Sequence, residues 1–315
     1  MGAFNAESTT DQVIDGISLA GDIALVTGAS SGLGVETSRA LAAAGAEVVM
    51  LARDPAKLEA AATALREGNP GGTFHTHLVD LADLSSVRSA AADLLESYPT
   101  IQLLINNAGV MACPLMRTAD GFEMQFGTNH LGHFLLTCML EPALLAGAPG
   151  RVVNLSSGGH KFASFNFDDP NYERRDYEKW QAYGESKTAN VLFTVGLDAR
   201  LKDSDVRALA VHPGVIMTEL SRHMQQEDFE SLSERAPGDG ELTFKSVEQG
   251  AATSTWAATS PDLEGRGGIY LEDCQVAEPA TPGSGSGVED YAVDTDAAER
   301  LWSLSEELVG ERFSF

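Results

Sequence analysis

The chain has 315 residues, enough for one large domain or two small ones with a substantial core. Its 21 basic and 46 acidic residues leave a formal net charge of −25, which argues against general binding to nucleic acids or anionic membranes, because both are polyanions. The three cysteines are odd in number and far apart, so neither a disulfide framework nor a zinc site is indicated.

Residues 1–18 are polar and acidic, without the basic start and apolar centre of a secretory signal. We expect a flexible arm there, followed by a single domain over residues 19–315. No apolar run reaches about 18 residues, so no membrane-spanning helix is expected. We therefore expect a cytoplasmic protein.

A short apolar run and three closely spaced glycines open the domain. Residues 23–26 predict a buried strand, Gly28, Gly32 and Gly34 a tight turn, and residues 35–44 a helix that ends at Gly45. Such a turn lets the backbone approach a pyrophosphate, and the helix N-terminus carries partial positive charge to meet it. Because the spacing differs from the usual Gly-x-Gly-x-x-Gly, the turn alone is only a weak sign of a dinucleotide site.

Strands and helices alternate through the next part of the chain. Strands are predicted over residues 48–52, 74–79 and 101–105, with helices over residues 55–66 and 84–95. Asp54 followed by proline is typical of a helix start. This alternation predicts an α/β protein with a doubly wound parallel sheet and a ligand at the carboxyl ends of its strands.

The pattern continues to the end of the chain, with about seven parallel strands and helices on both faces. Residues 158–181 are irregular, residues 217–245 look like a mobile lid, and residues 278–287 look like a surface loop. Asp296 and Glu299 are candidate caps of a last helix, so the C-terminal loop and helix span about residues 278–310. The remaining predicted helices cover residues 122–145, 183–201 and 246–259, and the remaining strands residues 151–155, 206–211 and 268–271.

Five motifs together make the chain resemble the short-chain dehydrogenase/reductase family over about residues 20–275. They are Thr27-Gly28-x-x-x-Gly32-x-Gly34, Asn106-Asn107-Ala108-Gly109, Asn129, Ser157 and Tyr183-x-x-x-Lys187. The runs at residues 129–134, 153–157, 183–190 and 267–274 resemble the retinol dehydrogenase and WW-domain oxidoreductase branch. The resemblance implies a single Rossmann-like domain and a nicotinamide-dependent oxidoreductase.

A phenol and an ammonium four residues apart lie on one face of a helix, which suits proton transfer at an alcohol or carbonyl oxygen. Tyr183 is the candidate general acid/base, and Lys187 is expected to lower its pKa from the ordinary value of about 10. The resemblance implies that Lys187 also holds the nicotinamide ribose, that Ser157 rather than Ser156 binds the substrate oxygen, and that Asn129 positions Lys187 through a water and feeds a proton relay.

The resemblance also implies a set of cofactor contacts around these residues. An acid at position 52 would select NAD, but Ala52 stands there and Arg53 follows, which favours NADP while leaving NAD open. Pairing of Arg53 with Asp54 or Glu36 would weaken that preference. The predicted cofactor-binding residues are Gly28, Ser30, Ser31, Gly32, Leu33, Gly34, Arg53, Asp80, Leu81, Asn107, Ala108, Gly109, Tyr183, Lys187, Pro213, Gly214, Val215 and Thr218.

The expected substrate is a bulky apolar alcohol or carbonyl compound of the steroid, retinoid or aromatic type. Aromatic residues of the segment before Tyr183 are expected either to wall the substrate pocket or to pack as a surface insertion; they are Phe162, Phe165, Phe167, Tyr172 and Trp180. His130 and His133 are interpreted as packing residues, and no metal site is predicted. A nucleotide-binding regulatory protein and an epimerase or dehydratase are the alternatives, and homo-oligomerisation is left open.

Overall fold

A single mixed sheet crosses the protein in the computed structural model, which describes residues 4–235, 243–281, 283 and 285–314. The strands are β1 (Ile23–Thr27), β2 (Glu47–Ala52), β3 (Thr73–Leu78), β4 (Leu103–Asn106), β5 (Gly150–Leu155), β6 (Val206–His212), β7 (Ile269–Glu272) and β8 (Gln275–Val276). Their order is β3-β2-β1-β4-β5-β6-β7-β8. The strand order reverses between β1 and β4, so a crevice opens beyond the carboxyl ends of these two strands.

The sheet has eight strands, whereas about seven parallel strands were predicted. Strands β1 to β7 are mutually parallel, and β8 pairs antiparallel with β7. The turn between β7 and β8 consists of Asp273 and Cys274, both with positive φ. The sequence did not reveal β8 because it has only two residues and its turn lacks the usual Asn-Gly or Gly-containing signal.

Helices cover both faces of the sheet, as the alternating pattern predicted. They are α1 (Thr10–Ile14), α2 (Gly32–Ala43), α3 (Pro55–Gly68), α4 (Leu84–Ser97), α5 (Met124–Phe126), α6 (Gly132–Met139), α7 (Glu141–Ala146), α8 (Lys179–Leu201), α9 (Gln226–Arg235), α10 (Val247–Thr259) and α11 (Thr295–Val309). One apolar core lies between the sheet and α4, α6, α8 and α11. The other lies between the sheet and α1, α2, α3 and α10.

The described part of the N-terminal segment is more ordered than predicted. Helix α1 contacts α2 and α10, Val13 is buried, and Arg39 on α2 forms an ion pair with Asp11 at 2.6 Å. The expectation of a loose arm is therefore wrong for these residues. A helix of five residues in a polar segment has too little apolar periodicity to be recognised from sequence.

The long helix predicted over residues 122–145 is interrupted. A π turn over Gly127–Leu131 joins α5 to α6, and α7 begins after Leu140 with a proline in its first turn. Helix α8 starts at Lys179, earlier than predicted, because the Glu178 side chain accepts hydrogen bonds from the Trp180 and Gln181 amides. Within the described ranges, no helix has both the length and the hydropathy needed to cross a membrane.

Candidate active site

A cavity of about 690 Å³ lies at the carboxyl ends of the parallel strands. Nearly all the predicted site residues line it: Gly28, Ser30, Ser31, Gly32, Leu33, Arg53, Asp80, Leu81, Asn107, Ala108, Gly109, Ser157, Tyr183, Lys187, Pro213, Gly214, Val215 and Thr218. Gly34 and Asn129 do not line the cavity. Gly34 packs behind Gly28, and Asn129 lies behind Val110, so both support the cavity wall from the protein interior.

The glycine turn is shaped for close backbone approach. Gly28 has a φ of +67°, and a Cβ atom there would lie 2.8 Å from the Cα of Ala108. A Cβ on Gly34 would lie 2.3 Å from the carbonyl oxygen of Gly28, so α2 packs directly on the turn. The turn and the start of α2 therefore form a glycine cradle in which the backbone can come close to a ligand, which fits the diphosphate of a dinucleotide.

A buried hydrogen-bond chain links three of the motifs. The Thr27 hydroxyl accepts hydrogen bonds from the amides of Asn107 (2.9 Å) and Ala108 (3.0 Å) and lies 2.8 Å from Nε2 of His133. Nδ1 of His133 lies 2.9 Å from the carbonyl oxygen of Asn129, which can only accept. Nδ1 therefore carries the proton, and the Thr27 hydroxyl donates to Nε2.

Burial keeps this imidazole neutral. It lowers the pKa of His133 to about 4, so both ring nitrogens are used as hydrogen-bonding groups at physiological pH. His130, by contrast, packs against Phe126 and bonds Ser305, in agreement with the predicted packing role. The role of His133 in joining strand β1 to the π turn was not recognised from the sequence.

Asn129 lies in the π turn and uses its side chain on the neighbouring loop. Its Oδ1 accepts from the Val110 amide at 2.8 Å, and its Nδ2 donates to the Val110 carbonyl oxygen and to Oγ of Ser186. The residue is completely buried. Asn129 thus holds the cavity-lining loop after β4 against α8, while its predicted link to Lys187 through a water stays a prediction.

Ser157 and Tyr183 face each other across Gly159. Oγ of Ser157 accepts from the Gly159 amide at 3.0 Å, and the same side chain acts to lower the pKa of Tyr183. The Ser156 hydroxyl instead donates to the Lys187 carbonyl oxygen at 2.8 Å. A Cβ on Gly159 would lie 2.7 Å from Cε1 of Tyr183, so only glycine leaves the phenol ring in place. This role of Gly159 depends on tertiary contact and was not predicted.

The electrostatics of Tyr183 and Lys187 differ from the expectation. Burial raises the pKa of Tyr183 to about 12, and the Ser157 hydrogen bond opposes this rise only in part. Burial also lowers the pKa of Lys187 to about 8, and its Nζ donates to the Leu155 carbonyl oxygen at 3.0 Å. The expected lowering of the Tyr183 pKa is therefore not found, because desolvation of the phenolate dominates.

Arg53 lies at the end of β2 without the partners that would neutralise it. Within the part of the chain that the structure describes, its guanidinium has no hydrogen bond or ion pair. Asp54 caps α3 through the Ala56 and Lys57 amides, and Glu36 pairs with Arg39. Both alternative partners are thus engaged elsewhere, and Arg53 is free to meet an anion in the cavity.

The aromatic residues before Tyr183 divide between the two roles considered. Phe162 and Trp180 line the cavity. Phe165 and Phe167 pack edge to face, and Phe165 also contacts Phe126. Tyr172 packs under Arg175. Only two of the five residues therefore wall the cavity, since the others are used to anchor the insertion to the core.

The predicted lid covers residues 217–245, of which residues 236–242 lie outside the described residues. It contains a 3₁₀ turn over Glu219–His223 and helix α9. An apolar cluster, here called the lid cluster, joins the lid to the cavity wall; it consists of Met224, Phe229, Leu232, Met111, Ala112, Phe162, Trp180 and Tyr183. Apolar side chains of the lid thus belong to the same cluster as the candidate acid/base.

The described residues of the predicted surface loop at residues 278–287 are mostly exposed, and the loop also reaches the cavity. Thr281, Gly283 and Gly285 line it, and Nζ of Lys161 donates to the Gly285 carbonyl oxygen at 2.9 Å. The loop is held near Ser157 because the Glu289 amide donates to Nε2 of His160. Among the described residues, no three His, Cys, Asp or Glu side chains come together to hold a metal ion.

Comparison with known proteins also points to a dehydrogenase, in agreement with the residues found at this site. The short chain dehydrogenase family model matches residues 22–228. The chain is 42% identical to retinol dehydrogenase 14 of Mus musculus over 305 residues, which covers 92% of this chain and 86% of that protein.

Two solved structures are also similar. The crystal structure of a putative uncharacterized protein from Mycobacterium paratuberculosis has a TM-score of 0.75 and 36% identity, covering 98% of this chain and all of that one. The Pseudomonas aeruginosa RhlG/NADP active-site complex has a TM-score of 0.64 and 28% identity, covering 81% and 95%. With the glycine cradle and the cavity that gathers Ser157, Tyr183 and Lys187, these likenesses establish that the chain is an oxidoreductase of the short-chain dehydrogenase/reductase family.

Proposed function

We propose that this oxidoreductase is NADP-dependent and interconverts an alcohol and a ketone or aldehyde on a bulky apolar substrate of the steroid, retinoid or aromatic type. The observation that carries the proposal is the single cavity that runs from the unpaired Arg53 to the facing Ser157 and Tyr183. When bound, the nicotinamide supplies or accepts the hydride.

In this proposal Tyr183 is the general acid/base. Because burial raises its pKa to about 12, the phenol is neutral at physiological pH and is ready to donate its proton to a carbonyl oxygen that gains negative charge. The Ser157 hydroxyl donates a second hydrogen bond to the same oxygen. Lys187 is a cation at neutral pH, since its pKa is about 8, and its positive charge stabilises the phenolate that forms when Tyr183 gives up its proton.

The NADP preference is supported by the surroundings of position 53. A carboxylate at the end of β2 would bind a ribose hydroxyl and repel a phosphate, but Ala52 cannot do either. Arg53 has no carboxylate partner in the described chain and lines the cavity. A guanidinium in this state can bind the 2′-phosphate through charge-assisted hydrogen bonds.

The substrate class is supported by the cavity wall and by a relative's name. Phe162, Trp180 and Leu232 line the cavity beside Tyr183, so this end favours apolar carbon skeletons. The similar mouse protein is named a retinol dehydrogenase, which brings retinoids into the proposal. A cytoplasmic location is also part of this proposal.

The NADP assignment is tested by replacing Arg53. In assays with steroid, retinoid and aryl carbonyl compounds, Arg53→Ala is expected to raise the KM for NADPH by about 10-fold or more, since a charge-assisted hydrogen bond contributes about 1.5–3 kcal/mol. The KM for NADH should stay nearly unchanged. A wild-type preference for NADH, or equal losses with both cofactors, would refute the assignment. Absence of turnover across the whole panel would refute the substrate class.

A further inference from the structure

Four of the charged side chains that line the cavity belong to two different parts of the protein. Arg53 and Lys57 belong to the fixed part of the domain, after β2 and on α3. Glu219 and Arg222 belong to the 3₁₀ turn that begins the lid. All four line the same cavity, so one bound group can contact the fixed part and the lid together.

An ion pair already joins these two parts of the protein. Nζ of Lys57 lies 2.9 Å from Oε2 of Glu219. Both side chains are about half exposed, so the pair itself contributes little to stability. Its value here is geometric, because it places the start of the lid beside α3 and next to Arg53.

Arg222 has no carboxylate partner within the described ranges. Its Nη1 donates to the Glu219 carbonyl oxygen at 3.0 Å. Burial lowers the pKa of Arg222, and the nearby charge of Arg53 lowers it further, while the Glu219 carboxylate opposes this shift only in part. Two guanidinium groups thus lie close enough to repel each other, in a chain whose net charge is −25.

We propose that the 2′-phosphate of NADP(H) binds between Arg53 and Arg222, so that the phosphate holds the start of the lid against the nucleotide end of the cavity. This inference rests on the proposed NADP dependence and adds a second phosphate ligand on a different element. The phosphate turns the repulsion between the two guanidinium groups into two attractive contacts. NAD(H) lacks this group and leaves the repulsion in place.

Binding of 2′,5′-ADP and 5′-ADP, measured by calorimetry, tests the site without requiring turnover. For Arg222→Ala we expect about 10-fold weaker binding of 2′,5′-ADP and less than a twofold change for 5′-ADP, because only the 2′-phosphate contact is lost. Arg174→Ala is the matched control, since it removes the same charge from an exposed site outside the cavity. The control should bind both ligands like the wild type.

A second variant guards against misfolding of the first. Glu219→Gln removes a negative charge beside the proposed phosphate and keeps an amide oxygen that can accept from Lys57, so it should bind 2′,5′-ADP more tightly and 5′-ADP nearly unchanged. Hydrogen exchange provides an independent readout: 2′,5′-ADP should protect residues 219–223 and 5′-ADP should not.

Several results would overturn the site. Equal weakening of both ligands in Arg222→Ala would mean that Arg222 binds the diphosphate, and unchanged binding of both would remove it from the nucleotide site. If Arg53→Ala loses 2′,5′-ADP while Arg222→Ala does not, only the role of Arg222 fails. A wild-type protein that binds both ligands equally would overturn this site and the NADP preference together.

Discussion

At the scale of single residues, the phenol of Tyr183 is the atom group on which the proposed chemistry depends. Tyr183→Phe keeps the buried ring and removes only the hydroxyl, so we expect kcat to fall about 10²-fold or more while the Kd for NADPH stays nearly unchanged. Tyr98→Phe removes a phenol far from the cavity and is the matched control. Near wild-type kcat in Tyr183→Phe would remove Tyr183 from the mechanism.

Gly159 offers a sharper test of geometry, because its Cβ position is occupied by the ring of Tyr183. Gly159→Ala should push this ring away from Ser157, and a misplacement of about 1 Å can lower the rate by about 10²-fold. Cofactor affinity should be kept, which steady-state kinetics and NADPH titration separate. Gly71→Ala is the control, since nothing lies within 4 Å of its added methyl group. Unchanged kcat in Gly159→Ala would show that the ring can adjust without cost.

What the sequence could predict at this scale follows from local spacing. The Tyr183 and Lys187 pair is visible because both lie on one helix face, and Ser157 is marked by its place at the end of a strand. Gly159, His133 and Arg222 were missed because their roles come from contacts between segments distant in the chain. The pKa of Tyr183 was misjudged because the depth of burial is not contained in a four-residue spacing.

At the scale of elements, the ordering of the lid depends on its contacts with the rest of the domain. Lid residues reach the cavity wall through Met224, which is 9% exposed, and through the partly buried Phe229 and Leu232. Such a small apolar set is expected to order only weakly alone and to close over an apolar substrate. Hydrogen exchange over residues 217–245 should therefore slow when cofactor and substrate are added together.

The double variant Met224→Ala and Phe229→Ala tests the same idea by kinetics. It should raise the KM for bulky substrates and change their order of preference, since it removes lid side chains from the apolar cluster that includes Tyr183. Leu78→Ala, which removes an exposed apolar side chain from β3, should leave the KM values unchanged. Exchange that is already slow in the free enzyme and does not change with ligands would contradict a mobile lid.

Elements with strong local signals were predicted well. Asp54 caps α3 and Pro55 begins it, and Ser246 caps α10, at the places where these residue types predict a start. The last helix starts earlier than expected because Asp294, not Asp296, accepts from the Ala297 amide. Short elements such as α1 and β8 are too brief to show periodicity, so their formation depends on packing against elements that form elsewhere.

At the scale of the whole molecule, the charge of −25 should be visible in stability. Repulsion among surface carboxylates opposes the compact state, and added salt screens it. We therefore expect Tm at pH 7.5 to rise between about 0.02 and 0.5 M NaCl, with a Debye length falling from roughly 20 Å to roughly 4 Å. Thermal unfolding followed by circular dichroism provides the measurement.

The control for this prediction is pH rather than a variant. Near pH 5, close to the sequence pI of about 4.5, the net charge is small and the same salt should change Tm much less. KCl should act like NaCl, which separates screening from ion-specific binding. A Tm that falls with salt at pH 7.5 would show that attractive ion pairs, such as Arg207 with Asp198, outweigh the repulsion.

The Thr27 hydroxyl is a shared junction, and this has a consequence for redesign of the enzyme. Two amides of the loop after β4 and one imidazole of α6 meet on this one oxygen, and the imidazole also holds the π turn at Asn129. Suppose that the glycine turn of another dehydrogenase is introduced without the residue that takes the place of His133 in that enzyme. A buried donor or acceptor would then be left unsatisfied, and each such group would destabilise the fold by about 1–3 kcal/mol. Cofactor loops in this protein should therefore be exchanged as a three-segment cassette rather than one at a time.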